Sequence, residues 1–152
     1  ADREEVARHM GTPAPRASLD ELHPWVWDAA RTFWAPPSYR VAVAQAAAAV
    51  NLHAQTKVDR WDVADDALMN ELFTDKAPME GKPRLRLPGW ADDKTQESRQ
   101  RGLRGLGQGC YWALRNPATH QMTPWTEQQA VEALCAFSIL ARMIEECDVC
   151  TV

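Results

Sequence analysis

The chain has 152 residues, 45% of them apolar and 25% charged, which excludes a disordered segment and is typical of one globular domain. No apolar run approaches the roughly 18 residues of a membrane span, so we expect no membrane partner. The net charge of −4 argues against a nucleic-acid binder unless basic residues are concentrated locally.

The beginning of the chain differs from the rest. Residues 1–17 are polar and contain two prolines, which predicts a linker or the end of an upstream region. The chain also starts at Ala1 rather than at a methionine, which is typical of a processed chain or a fragment. We therefore place the domain at residues 18–152 and expect an all-α bundle of four main helices plus short helices, because no convincing strand pattern is present.

Two helices are predicted at the start of the domain. Ser18 and Glu21 have the spacing of a capping box, and Pro24 suits the first turn of a helix that ends near Trp34. The next helix, residues 38–56, is rich in alanine and apolar nearly all round, which is typical of a central, buried helix.

A short helix and a long loop, called here the excursion (residues 75–92), follow. Asp65 or Asp66 can cap the helix "ALMNELF", and we prefer this role to metal binding. Asn51, in the buried helix, is expected to bond within the bundle. Residues 75–92 contain three prolines and two glycines and indicate a long loop, with a short hairpin around "RLRL".

The local charge reverses near this loop. From Lys82 to Arg104, seven basic residues stand against three acidic ones. Such a segment is most often a solvated face, and binding to an acidic partner is the alternative.

A long helix is predicted from about Asp93 to Arg115. At about 100° per residue, one arc holds the predicted core face, namely Leu103, Leu106, Cys110, Ala113 and Leu114. The opposite arc holds Glu97, Arg101, Arg104, Gln108, Trp112 and Arg115. Between them lie Gly102, Gly105 and Gly109, each of which costs about 1 kcal/mol in a helix relative to alanine, so we expect another backbone to approach closely there.

The Asn116–Pro117 pair predicts that this helix stops. Thr126 and Gln129 then make a second capping box for a last helix that runs to about Glu146. The middle of this helix, "ALCAFSILARMI", is apolar on most sides, which indicates a dimer interface.

The four cysteines do not predict a disulfide framework. Cys110 and Cys135 lie among apolar residues within predicted helices, where a reduced cysteine acts as a small hydrophobe. Cys147 and Cys150 form a single C-x-x-C without a second pair, which is weak support for zinc. A reducing cytoplasm is the simplest interpretation.

Arg115 and His120 stand five positions apart across the Asn-Pro pair. One interpretation is that Arg115 caps a helix C-terminus electrostatically and His120 is an ordinary loop residue. The other is chemical, because a fixed cation beside an imidazole that changes protonation near neutral pH suits phosphodiester chemistry.

The string "RNPATH" resembles the signature of the HEPN superfamily, an arginine and a polar residue followed at this spacing by histidine. With "LHPWVWDAARTFW", "SYRVAVAQAAAAVN" and "DALMNELF", it looks like the Ymh-type branch found in prokaryotic conflict systems. The resemblance covers about residues 19–147, and that branch usually carries additional N-terminal sequence.

The resemblance implies a HEPN-like fold and a metal-independent endoribonuclease without a cofactor. Such an enzyme works as a homodimer and serves as an effector of phage defence or as a toxin, with an N-terminal sensor domain or an antitoxin as partner. The motif matches Arg115, Asn116 and His120 as catalytic residues. RNA contacts are then expected along the arginine face from Arg101, Arg104, Gln108 and Trp112.

The residue types suit these roles. His120 can act as general base or general acid, and Arg115 can grip a phosphate through its guanidinium. Asn116 would orient the phosphate or the imidazole. The alternative is a HEPN-fold module without catalysis that binds RNA or mediates dimerisation.

Overall fold

A computed structural model describes residue 3, residues 11, 13 and 14, and residues 18–152. The linker predicted for residues 1–17 lies outside the described residues apart from those four positions. Helices make up most of the described chain, which confirms the all-α fold. None of the helices in this part is both long and apolar enough to cross a membrane.

Six α-helices and two very short strands form the described fold. The helices are α1 (Pro24–Ala30), α2 (Tyr39–Val58), α3 (Asp65–Phe73), α4 (Lys94–Gly109), α5 (Asn116–His120) and α6 (Glu127–Glu146), of which α5 is a short continuation of α4. A π-helical segment, Cys110–Arg115, joins α4 to α5. Short 3₁₀ turns occupy Leu19–Glu21 and Arg31–Phe33, and the strands are β1 (Arg84–Arg86) and β2 (Asp148–Cys150).

Helices α2 and α6 form the centre of the bundle. The alanines of α2 are buried on the side that faces α1 and α6, where small side chains let the helices approach closely. In α6, Leu134, Phe137 and Leu140 are fully buried within the chain, whereas Ile139 is 55% exposed. The apolar surplus predicted for this helix is therefore largely buried inside one chain, which weakens that argument for a dimer.

Local capping signals had mixed outcomes. Thr126 and Gln129 form both halves of the predicted capping box at α6. The box predicted for Ser18 and Glu21 is wrong, because the side chain of His23 caps α1 by accepting a hydrogen bond from the backbone of Trp25 at 3.1 Å. Pro24 occupies the first turn of α1, as its fixed φ favours.

The excursion 75–92 contains no "RLRL" hairpin. Strand β1 instead pairs antiparallel with β2 at the end of the domain, with Leu85 opposite Val149. Leu85 is fully buried and Arg84 is 3% exposed, so this small sheet fastens the excursion to the bundle. Sequence patterning missed the pairing because each strand has only three residues.

The helix does not stop at Asn116 as predicted. The chain stays helical through the π-helical segment and continues as α5 to His120. Pro117 lies in the first turn of α5, where its missing N–H and fixed φ are tolerated.

The π-helical segment also changes which side chains face the core. Its hydrogen bonds span five residues instead of four, so side chains after Gly109 are rotated relative to a regular α-helix. Tyr111 is consequently fully buried, and Ala113, predicted for the core, is exposed. Leu103 and Cys110 are buried as predicted, and Leu106 and Leu114 are half-buried against the core.

The glycine ridge makes no close contact within the described chain. A Cβ added at Gly102, Gly105 or Gly109 would meet no atom within 4 Å. The close approach occurs instead at Gly107, where an added Cβ would lie 2.9 Å from the Cβ of Met69 in α3. Gly107 therefore allows α4 to pack tightly on α3.

Candidate active site

Arg115 ends the π-helical segment, and its guanidinium is fixed by three neighbours. Nη2 forms an ion pair with the carboxylate of Asp65, and Nη1 donates to Oδ1 of Asn116 at 3.1 Å. The guanidinium carbon lies 6.0 Å from the centre of the Tyr111 ring. The side chain is 26% exposed. This cation is therefore held in place by protein contacts and is still accessible to solvent.

Asp65 is placed by an uncommon backbone conformation. It is the first residue of α3 and has a φ of +57°, in the left-handed region that costs a non-glycine residue roughly 1–2 kcal/mol. Its N–H donates to Oδ1 of Asn51 at 2.7 Å. Non-glycine residues in this region concentrate at functional sites, where surrounding contacts hold the strain.

Asn51 belongs to a hydrogen-bonded chain that extends through α2. Its Nδ2 donates to Oε1 of Gln55 at 3.1 Å, and Nε2 of Gln55 donates to the carbonyl of Val63 at 2.9 Å. The expectation that Asn51 bonds within the bundle is confirmed. Through Asp65, this chain connects the core of the bundle to Arg115.

The helix-capping role predicted for Asp65 and Asp66 is wrong. Ala64 occupies the N-cap of α3 and makes no side-chain capping bond. Asp65 binds Arg115 instead, a contact between residues 50 positions apart that no local pattern encodes. Within the described part of the chain, no three His, Cys, Asp or Glu side chains form a group that could hold a metal ion.

His120 ends α5 and is exposed. It has no hydrogen-bond partner among the described residues, so its imidazole faces solvent without a protein group to orient it. Arg115 and His120 lie on the same continuous helical segment and make no hydrogen bond to each other. The structure therefore brings Arg115 and Asn116 together in one hydrogen-bonded cluster and leaves His120 beside it at the helix end.

Arg40, from the start of α2, anchors the end of this helical segment. Its Nη1 donates to the carbonyl of Ala118 at 2.6 Å, and Ala118 is fully buried. The Nε of Arg40 is buried and has no acceptor among the described residues. Sequence reasoning missed Arg40 and assigned Asp65 another role, because each acts through a contact with a distant part of the chain.

The predicted arginine face is partly present. Arg101 is exposed and paired with Glu97 at 2.9 Å, and Trp112 is 56% exposed. Arg104 is exposed and Gln108 is half-buried. The predicted alignment of Arg115 with these residues is wrong in detail, because the π-helical segment turns it toward α3.

A groove runs beside the motif between the π-helical segment, α5 and the start of α6. It has a volume of about 480 Å³, and its lining includes Leu114, Pro117, Gln121 and Trp125. Neither Arg115 nor His120 is among its lining residues. An open groove of this size with one aromatic ring can accommodate a nucleobase-sized group on the Pro117 side of the motif.

The remaining described histidines and two cysteines have structural roles. His23 is 2% exposed and contacts Glu145 at 3.1 Å, and His53 stacks on Trp25 with ring centres 4.3 Å apart. Burial, followed by the nearby His23, lowers the pKa of His53. Burial raises the pKa of the Cys110 and Cys147 thiols to about 12, so both are unreactive hydrophobes.

Comparison with known proteins gives one family match. The model of a family described as "Protein of unknown function (Hypoth_ymh)" matches residues 20–144, which is most of the chain. The curated proteins and the solved structures that were compared contain no significant match.

Proposed function

The chain belongs to the Hypoth_ymh family, whose function is unknown, and we propose that it is a metal-independent endoribonuclease of the HEPN type. The observation that carries the proposal is the fixed guanidinium of Arg115, supported by Asp65 and Asn116 and followed five residues later by the exposed imidazole of His120. The family match supports the Ymh-type resemblance, and membership of the HEPN superfamily is part of the proposal.

The proposed reaction is an attack by a ribose 2′-hydroxyl on the adjacent phosphate. His120 removes the proton from that hydroxyl, or in its protonated form gives a proton to the departing 5′-oxygen. The new oxygen–phosphorus bond closes a 2′,3′-cyclic phosphate, and the bond to the 5′-oxygen breaks. The products are one strand with a cyclic phosphate and one with a 5′-hydroxyl.

Arg115 stabilises the charge that builds on the phosphate oxygens during this attack. A guanidinium stays protonated and offers several N–H donors in a fixed plane. Asp65 and Asn116 engage Nη2 and Nη1, whereas no described residue accepts a hydrogen bond from Nε. The Nε edge is therefore the edge available to a phosphate.

The proposed active unit is a homodimer in which two copies of the motif face one another. Two Arg115 side chains near a two-fold axis would repel without an anion between them, and an RNA phosphate supplies that anion. Each Asp65 would lower this repulsion before RNA binds. The cellular setting implied by the resemblance is cytoplasmic, in phage defence or as a toxin, with an N-terminal sensor domain or an antitoxin as partner.

The test is cleavage of total RNA by the purified chain in EDTA, with end-group analysis of the products. We expect activity without added metal, and products that carry a cyclic phosphate or its hydrolysis product and a 5′-hydroxyl. Arg115→Ala and Arg115→Lys should both be inactive, because a point charge does not replace the planar fork. Activity that requires magnesium or manganese, or 5′-phosphate products, would contradict the mechanism.

One observation favours the second candidate, a HEPN-fold module that binds RNA or mediates dimerisation without catalysis. Asp65 neutralises Arg115, and His120 has no partner among the described residues to orient its ring. Binding of RNA without cleavage under every metal condition would support this candidate over the enzyme.

A further inference from the structure

A second cationic site lies away from the motif, where α3, α4 and the excursion meet. It is a cavity of about 260 Å³ lined by Asn70, Glu71, Thr74, Lys76, Met79, Lys82, Arg84 and Arg104. Four of these side chains are positively charged and one is negatively charged. Arg104 precedes Arg115 by eleven residues, roughly 16 Å along a helix, so the cavity is separate from the candidate active site.

Arg104 is oriented by a neutral group. Its Nε donates to Oδ1 of Asn70 at 2.9 Å, and Nη2 donates to the same oxygen. No described carboxylate pairs with it, whereas Arg101 and Arg99 on the same helix pair with Glu97 and Glu146. An amide oxygen fixes the direction of a guanidinium without neutralising its charge, so Arg104 is prepared to bind an anion.

Arg84 is a buried cation with an unused donor. Arg84 is one of the lining residues, it is 3% exposed, and its Nη1 donates to the carbonyl of Glu71 at 2.9 Å. Its Nε is buried and has no acceptor among the described residues. A buried donor without a partner costs about 1–3 kcal/mol, which an acceptor brought by a ligand would offset.

Two carboxylates near the cavity, those of Glu71 and Asp62, are engaged by Arg60. Its Nη1 donates to Glu71 at 2.7 Å, and Nε donates to Asp62 at 2.9 Å. The hydrogen bonds from Arg60 are the main reason that the pKa of Asp62 is lowered to about 2, and the charge of Lys82 contributes less. Arg60 is therefore the main cationic partner of both carboxylates, and Asp62 offsets the charge of Lys82 only weakly.

We propose that this cavity binds a phosphate group. Its lining contains no aromatic side chain on which a nucleobase could stack, and its charges suit a compact anion. Two of its lining residues, Lys76 and Lys82, are exposed to solvent. The phosphate has two sources, the backbone of an RNA strand or a free phosphorylated small molecule, and the inference does not require that the chain cleaves RNA.

The experiment measures the binding of two probes by calorimetry. One is a short 2′-O-methyl RNA strand, which lacks the attacking hydroxyl, and the other is inorganic pyrophosphate. The variants are Lys82→Ala and Arg104→Gln, which change exposed side chains, with melting curves to verify folding. Lys94→Ala is the control, because it removes one positive charge from the same helix outside the cavity.

We expect each cavity variant to lower the affinity for the probe that the wild type binds by about fivefold to tenfold. The variants should also lower the salt dependence of strand binding. Lys94→Ala should stay close to the wild type. Binding of the strand alone assigns the cavity to an RNA backbone, and tighter binding of pyrophosphate assigns it to a phosphorylated small molecule. The proposal is overturned if the wild type binds neither probe, or if the cavity variants bind both as the control does. If Arg115→Ala retains RNA cleavage while the cavity variants lose binding, the active-site assignment fails and the phosphate site stands.

Discussion

The guanidinium of Arg115 and the carboxylate of Asp65 form a half-buried ion pair that joins the π-helical segment to the first residue of α3. The pair connects the Arg-Asn-x-x-x-His motif to a residue 50 positions earlier in the chain. It makes the direction of Arg115 depend on the backbone of α3 and, through Asn51, on α2.

Asp65→Asn should reduce RNA cleavage by at least tenfold, because Arg115 loses the carboxylate that orients it. The free energy of unfolding should fall by about 1.5–3 kcal/mol, the range for a hydrogen bond to a charged group. Single-turnover cleavage and thermal melting measure the two effects. Asp66→Asn is the matched control, since it removes the adjacent charge and should change neither.

The double variant Asp65→Arg with Arg115→Asp distinguishes two effects of the ion pair, the orientation of Arg115 and the stability of the fold. Its melting temperature should recover part of the loss seen in either single variant, and cleavage should not recover, because the cation then sits on α3. Cleavage restored by the exchange would mean that the ion pair is structural and that neither residue meets the phosphate.

His120→Ala should lower cleavage by about 10²–10⁴-fold, the usual contribution of a general acid or base. Its side chain is exposed, so the stability change should stay within about 0.5 kcal/mol. Thr119→Ala, at the exposed position next to it, should affect neither quantity. Equal losses of activity and stability in His120→Ala would instead favour a structural role.

Gly107→Ala should destabilise the chain by about 1–3 kcal/mol, because the added methyl group would overlap the Cβ of Met69. Gly102→Ala and Gly105→Ala should each stabilise it by up to about 1 kcal/mol, since space is open and alanine favours a helix. Chemical denaturation measures all three. If a second chain packs on the glycine ridge, the latter two should weaken the dimer by analytical ultracentrifugation.

A mixed dimer tests whether the two motifs form one composite site. It combines one intact chain with one that carries both Arg115→Ala and His120→Ala. A shared site should lose far more than half of the activity per dimer. Retention of about half would show that the sites act independently, and it would leave the ribonuclease proposal intact.

Features set by neighbouring residues were predictable from sequence. The capping box of Thr126 and Gln129 and the first-turn Pro24 depend on contacts within one turn, and both were found. The all-α class follows from helical periodicity in the same way. The motif residues were identified by resemblance, and the structure shows how Arg115 and Asn116 are arranged.

Features that depend on distant contacts were not predictable. The pairing of β1 with β2 joins three-residue strands that are too short for a pattern. The ion pair of Asp65 and Arg115 requires that α3 start beside the π-helical segment. An α-helical projection also assumes a constant turn per residue, so it placed the exposed Ala113 on the core face and did not identify the buried Tyr111.

The π-helical segment makes the motif sensitive to chain length as well as composition. Its wider turn contains one residue more than an α-helical turn would need. Deleting one residue there, Trp112 or Ala113, would let the helix close to regular geometry without removing any motif residue. The side chains of Asn116 and His120 would then point in a different direction from the helix axis. Relatives that differ by one residue at this position would have the same motif residues but place them on a different surface of the domain.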